Sequence, residues 1–172
     1  MLIPAGTVHC SGADTMVLEI SATPYIFTFK LWDWGRVDLD GKPRPIHLEH
    51  GAANIQWYRN TEWVHRNLVN AVAEVYTGEN GTVVRTGLHE REFLDTFRFT
   101  TSSALPVHRN GSVHMLNLVD GTRAVLHSKS DAFPPLELHY AETCIVPQAA
   151  GDYEIYSPDG SEVKVILACV RN

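Results

Sequence analysis

The sequence predicts an all-β protein, and three observations carry that prediction. Short runs rich in Val, Ile, Leu and aromatic residues recur along most of the chain. Five Asx-Gly pairs punctuate them: Asp40-Gly41, Asn80-Gly81, Asn110-Gly111, Asp120-Gly121 and Asp159-Gly160. Such pairs accept the positive φ of tight hairpins, so they imply antiparallel sheets. Helical spacing of apolar residues is confined to the middle of the chain.

In chain order, Leu2-Ile3 reads as the end of a buried strand running into the turn Pro4-Ala5-Gly6. A strand that starts at residue 1 needs neighbours to pair with, so the opening predicts a fragment or one half of a split protein. Strands are expected over 16–20 and 25–31. Residues 45–56 suit a short helix, and 62–76 puts Trp63, Leu68, Val72, Val75 and Tyr76 near helical spacing. Strands then follow over 82–85, 93–100, 113–119, 122–127, 136–140, 144–146, 152–156 and 163–170. The run Gly41-Lys42-Pro43-Arg44-Pro45 marks a junction. The expected organisation is 1–45 as the terminal part of one barrel, 46–64 as a linker or short helix, and 65–172 as a complete β-barrel.

A faint internal echo supports this division. Leu2 to His9 resembles Ile145 to Tyr153: an apolar strand end, a proline, small residues, a glycine, then a second strand. Proline and glycine bend the chain back into a barrel, and a residue after the bend points inward. The second copy lacks the histidine.

Composition excludes several classes of function. Lys and Arg number 14 against 20 Asp and Glu, a net charge of −6 with histidine neutral, and the basic residues are scattered. A nucleic-acid binder concentrates positive charge, so no nucleic-acid partner is expected. Hydrophobic residues at 44% and charged residues at 20% suit a globular core. No apolar window is long enough to span a bilayer and no secretory leader is legible, so no membrane partner is expected. Cys10, Cys144 and Cys169 form no C-x-x-C pair and are odd in number, which fits a reducing cytoplasm. No G-x-S-x-G elbow, phosphate-binding G-x-x-x-x-G-K-S/T loop or G-x-G-x-x-G is present.

Pro4-Ala5-Gly6-Thr7-Val8-His9 matches P-x-G-x-x-H, the second motif of the cupin barrels, in which the turn delivers an imidazole to a metal. Taken with Val17-Leu18-Glu19-Ile20, Thr28-Phe29-Lys30-Leu31-Trp32-Asp33-Trp34-Gly35-Arg36 and Asp40-Gly41-Lys42-Pro43-Arg44, this motif makes residues 2–50 resemble the type I phosphomannose isomerases (mannose-6-phosphate isomerases) in order and spacing. Residues 60–172 resemble that family's C-terminal barrel in pattern only.

The resemblance implies a cupin-like jelly-roll barrel with a partial second barrel at the N-terminus. It implies a zinc-dependent aldose–ketose isomerase acting on a sugar phosphate. His9 falls on a family metal ligand. The family's other ligands, a Gln-x-His pair and a Glu, lie upstream of the motif and have no counterpart here. A complementary N-terminal segment or subunit is therefore the expected partner, and the chain by itself is expected to be inactive or nearly so. Lys30 falls on the family's active-site arginine and keeps the charge without the bidentate fork. Arg36 offers that fork nearby, and Glu19 is a candidate proton shuttle between C1 and C2. The competing reading is a non-catalytic cupin-like module that binds a carbohydrate or a partner subunit.

Other constellations carry a functional and a structural reading side by side. His47 and His50 are either two ligands on one helix face or part of a solvated face. Trp32, Trp34, Trp57 and Trp63 are either a sugar-stacking platform or core and interface filling.

Overall fold

The computed structural model describes residues 1–21 and 28–171. The chain divides into two compact units, Ile3–Val69 and a larger one comprising Met1–Leu2 with residues from Asn70 onward.

The smaller unit contains two short helices, α1 (Leu48–Asn54) and α2 (Thr61–Asn67), joined to extended segments. Asn60 caps α2 by accepting from the Trp63 backbone N–H at 3.0 Å, which satisfies one of the orphan donors of a helix start. The helix expected over 62–76 stops at Asn67. Asn70 takes a left-handed φ of 52°, and Val75 and Tyr76 enter a strand, which suits β-branched and aromatic side chains better.

Residues 16–20 carry apolar side chains but make no ladder, and Met16, Val17 and Leu18 are exposed. Of the strand expected over 25–31, residues 25–27 lie outside the described residues and 28–31 are unpaired. For 16–20 and 28–31 the physical reason is the same: a strand exists only beside another strand, and among the described residues neither segment joins a ladder. One isolated bridge, Val37 to Pro43, closes the turn at Asp40-Gly41.

The larger unit is built of β1 (Ala73–Gly78), β2 (Gly81–Thr86), β3 (Leu94–Thr101), β4 (Leu105–Val107), β5 (His114–Asp120), β6 (Arg123–Ser128), β7 (Leu136–His139), β8 (Thr143–Val146), β9 (Tyr153–Tyr156) and β10 (Val163–Val170). They form a six-stranded sheet in the order β1-β2-β3-β10-β5-β8 and a four-stranded sheet in the order β4-β9-β6-β7. Every pairing is antiparallel. Side chains alternate in and out with a period of two: Val163, Val165 and Leu167 of β10 and Leu116 and Leu118 of β5 face Leu126 of β6 and Ile155 of β9 in one core. Each such aliphatic side chain contributes about 1.5–3 kcal/mol on burial.

Sequence pattern missed two strands: β1, which falls in the stretch expected to be helical, and β4, which has Pro106 at its centre. Proline lacks a ladder donor and is tolerated here because β4 is an edge strand, paired with β9 alone. The Asx-Gly pairs also behave differently from expectation. Asn80-Gly81 closes the β1–β2 hairpin. Asn110-Gly111, Asp120-Gly121 and Asp159-Gly160 instead carry the chain from one sheet to the other, since β4 and β5, β5 and β6, and β9 and β10 lie in different sheets. No helix among the described residues is long and apolar enough to cross a membrane.

Candidate functional site

The residues singled out from the sequence lie in the smaller unit, and the turn before His9 organises the first of them. Thr7 N–H donates to the Pro4 carbonyl at 3.2 Å, and Gly6 takes a φ of 82° at the position where such a turn requires it. A Cβ there would lie 2.8 Å from the Asn54 carbonyl oxygen, so glycine is needed for space as well. Arg59, which the sequence reading did not pick out, braces this turn. Its Nη1 reaches the Pro4 and Ala5 carbonyls at 3.2 and 2.7 Å and Thr7 Oγ1 at 2.6 Å. Its guanidinium lies over the rings of Tyr58 and Trp63, 5.5 and 5.3 Å from their centroids. Trp63 is therefore engaged with Arg59. An arginine flanked by two aromatics was the available sequence signal.

His9 itself is exposed, with Nδ1 2.9 Å from the Thr7 carbonyl. Glu19 is exposed on the unpaired segment 16–20.

Lys30 and Arg36 gather around a residue that the sequence reading passed over, Asp33. This carboxylate is buried, and Arg44 grips both its oxygens, Nε to Oδ2 and Nη2 to Oδ1, each at 2.6 Å. Lys30 Nζ stands 3.7 Å from Oδ2, and Arg36 N–H donates to the Asp33 carbonyl at 2.9 Å. The Arg44 hydrogen bonds hold the Asp33 carboxyl below the usual carboxylate range; partial burial opposes them, and the charges of Arg44, Lys30 and Arg36 add to the lowering. Among these four side chains the formal charge is 3 − 1 = +2. The hairpin bridge Val37 to Pro43 brings Arg44 back to Asp33, a pairing that sequence separation concealed.

His47 and His50 both pack against Phe29, the His47 ring edge-on with centroids 6.2 Å apart. His47 is the residue before α1; its Nδ1 accepts from the Lys30 N–H at 3.2 Å and its own N–H donates to the Lys30 carbonyl at 2.7 Å. His50 stacks on Phe29, ring centroids 5.8 Å apart.

Among the described residues no group of three or more His, Cys, Asp and Glu side chains stands close enough to hold a metal. A tetrahedral zinc site draws on several ligands acting together, and His9 contributes one imidazole. The described residues do not fit a zinc ion unaided.

In the larger unit the residue after the echoed bend, Tyr153, points inward and is fully buried. Its hydroxyl lies 2.9 Å from Nδ1 of His114, which is also buried. Burial, with a smaller contribution from the charge of Arg109 and opposed by Asp152, drives the His114 imidazole down to about pKa 4. Burial likewise pushes the Tyr153 phenol up.

Two antiparallel sheets closed on a shared apolar core, with the Pro147–Gly151 bend leading Tyr153 into it, define a cupin-type jelly roll, whereas His9 after the Pro4–Gly6 bend is exposed and not turned inward as expected. Among solved structures, the chain is similar to the mannose 6-phosphate isomerase of Bacillus subtilis, with 13% identity, a TM-score of 0.56, and coverage of 81% of this chain and 39% of that one. It is also similar to a cupin-2 domain from Rhodospirillum rubrum, with 10% identity, a TM-score of 0.48, and coverage of 60% of this chain and 72% of that one. An RmlC-like cupin protein from Desulfovibrio desulfuricans gives 16% identity, a TM-score of 0.43, and coverage of 60% and 92%. The likeness is one of fold, and the chain spans 39% of the length of the isomerase. No protein-family model matches the sequence. No curated protein matches it either.

Proposed function

We propose that this chain serves a mannose-6-phosphate isomerase-type reaction, aldose–ketose isomerisation of a sugar phosphate, as a cytoplasmic protein. The observation that carries the reading is the gathering of Lys30 and Arg44 around one carboxylate, Asp33, with Arg36 bonded through its main chain to the Asp33 carbonyl and its charge adding to the field there, within the segment that resembles the isomerases. The surplus of positive charge suits a phosphate or an enediolate, both anionic.

In this reading a proton leaves C2 of the aldose for the Glu19 carboxylate and returns at C1. The carbonyl passes from C1 to C2 through the enediolate, with one proton moving from O2 to O1. A positioned base contributes roughly a hundredfold to ten-thousandfold to such a transfer. Lys30 bears on the negative oxygens as a point charge, and Arg36 supplies the planar fork for phosphate. His9 would be one ligand of a zinc ion only if a complementary segment or subunit supplied the others, and zinc bound there would polarise the sugar oxygens.

Titration of mannose 6-phosphate into the chain tests this reading. Binding that shifts the NMR signals of Lys30, Asp33 and Arg36, and that weakens about tenfold or more in a Lys30→Ala variant, is the expected result. Turnover by the chain alone with zinc is expected to be absent. Binding indifferent to both Lys30→Ala and Arg36→Ala, or robust turnover without a partner, overturns the corresponding part of the proposal.

A second reading, a non-catalytic carbohydrate-binding or subunit-interaction module, draws on a different observation. Trp32 and Trp34 are both 68% exposed, with ring centroids 6.5 Å apart in an edge-to-face pair, a surface suited to the apolar face of a sugar. Binding of unphosphorylated mannose that is lost in Trp34→Ala and kept in Lys30→Ala favours this reading over the first.

A further inference from the structure

The larger unit holds a half-open pocket of about 390 Å3 between its two sheets. Phe97, Phe99 and Leu167 line it from the six-stranded sheet, and Leu105 and Val107 of β4 face them from the four-stranded sheet. The volume lies within the range of small-ligand sites, which are mostly apolar with a few convergent polar groups. A dry apolar cavity of about 150 Å3 is already enough to take up benzene.

The polar groups here converge in one connected chain. Asn110 Nδ2 donates to Cys169 Sγ at 3.2 Å, which turns the Asn110 Oδ1 toward His114 Nε2 at 3.1 Å. An amide oxygen only accepts, so Nε2 carries the imidazole proton and Nδ1 accepts from the Tyr153 hydroxyl at 2.9 Å. The three bonds run in one direction, from Tyr153 to the Cys169 sulfur, and none of them uses the thiol hydrogen. All of the groups are uncharged near neutrality: burial holds His114 down to about pKa 4 and pushes the Cys169 thiol up. Arg109, whose charge acts on His114, does not line the cavity. Its Nε donates to Gln148 Oε1 at 3.2 Å and its Nη2 to the Ser112 carbonyl, while its Nη1 is buried with no hydrogen-bond partner among the described residues. His108, at the rim, is highly exposed and bonded through Nδ1 to Asp152 at 2.8 Å.

We propose that this cavity is a binding site for an uncharged, ring-sized apolar molecule bearing one carbonyl oxygen, of the class of simple aryl ketones. The ring lies between the Phe97 and Phe99 wall and the Leu105 and Val107 wall, and the oxygen meets the Cys169–Asn110 end of the polar chain. A carboxylate or phosphate would lose hydration against an apolar lining that contains no Lys or Arg, so anions are disfavoured relative to an uncharged ligand. The proposal concerns the two-sheet unit alone and does not rest on the isomerase reading.

Acetophenone titrated into the isotopically labelled full chain, followed by NMR, is the test. Saturable shifts at Phe97, Phe99, His114 and Cys169 are expected. Ethylbenzene, which lacks the carbonyl, is expected to bind about three- to tenfold more weakly, and benzoate not to saturate. Cys169→Ala should erase the advantage of the ketone over ethylbenzene, and Val107→Phe should fill the cavity and abolish both. Should Val107→Phe fail to fold, the Cys169→Ala comparison decides. Absence of saturation, shifts confined to the outer faces of the sheets, or benzoate binding as tightly as the ketone overturns the proposal.

Discussion

The hydroxyl of Tyr153 on β9 stands 2.9 Å from Nδ1 of His114 on β5, a hydrogen bond that ties the four-stranded sheet to the six-stranded sheet through the middle of the core. Both residues are buried, so neither can exchange its partner for water.

Tyr153→Phe keeps the ring and removes the hydroxyl, leaving the Nδ1 acceptor of His114 buried without a donor. The expected loss is about 1–3 kcal/mol, read as a lower urea midpoint at unchanged slope.

The pH dependence of stability follows from the depressed imidazole. Above about pH 6.5 His114 is neutral in the folded and unfolded chain alike and contributes no slope. Between 6.5 and about 4 the unfolded chain takes up a proton that the folded chain refuses, so stability falls as pH falls. The total is on the order of 3 kcal/mol, and below about 4 this group contributes no further slope. Urea titrations at several pH values should show this slope, and it should disappear in His114→Gln.

Gly81→Ala places a Cβ 2.2 Å from the Thr100 carbonyl oxygen at a φ of 134°, where an L side chain is strained whatever its size. A destabilisation of about 1–3 kcal/mol is expected. Gly160→Ala, at a φ of 77° with nothing within 4 Å of the added Cβ, is the control and should cost less. Thermal unfolding of the two variants side by side checks the order.

Asp33→Asn removes the charge that holds Arg44 and Lys30 around one carboxyl group. Hydrogen exchange at the Arg36 and Arg44 amides, which bond to the Asp33 and Arg36 carbonyls, should quicken, while exchange in β10 stays unchanged.

Thiol reactivity should separate the three free cysteines. Cys10 is exposed, whereas burial raises the Cys144 thiol to about pKa 11 and also raises that of the buried Cys169. A disulfide reagent at pH 8 should titrate one thiol per folded chain rapidly and the other two only on unfolding, because the thiolate is the nucleophile.

The sequence by itself determined the all-β class, because short runs rich in Val, Ile and Leu such as 163–170, bounded by turn residues, favour strands whatever the topology. It also determined the Pro4-Ala5-Gly6-Thr7 turn, whose local sterics require glycine. It did not determine which strands pair. The local preferences of Asn110-Gly111, Asp120-Gly121 and Asp159-Gly160 specify a reversal of direction, and only the packing of two sheets on one core decided that these reversals cross between sheets. Residues 16–20 have strand composition and no ladder, because a strand is a relation between segments. The same holds for the candidate sites: Lys30 and Arg36 were legible as cations in a motif, but the Asp33–Arg44 pair, the Arg59 brace and the Tyr153–His114–Asn110–Cys169 chain join residues far apart in sequence. Those contacts exist only once the backbone has brought the groups within hydrogen-bonding distance.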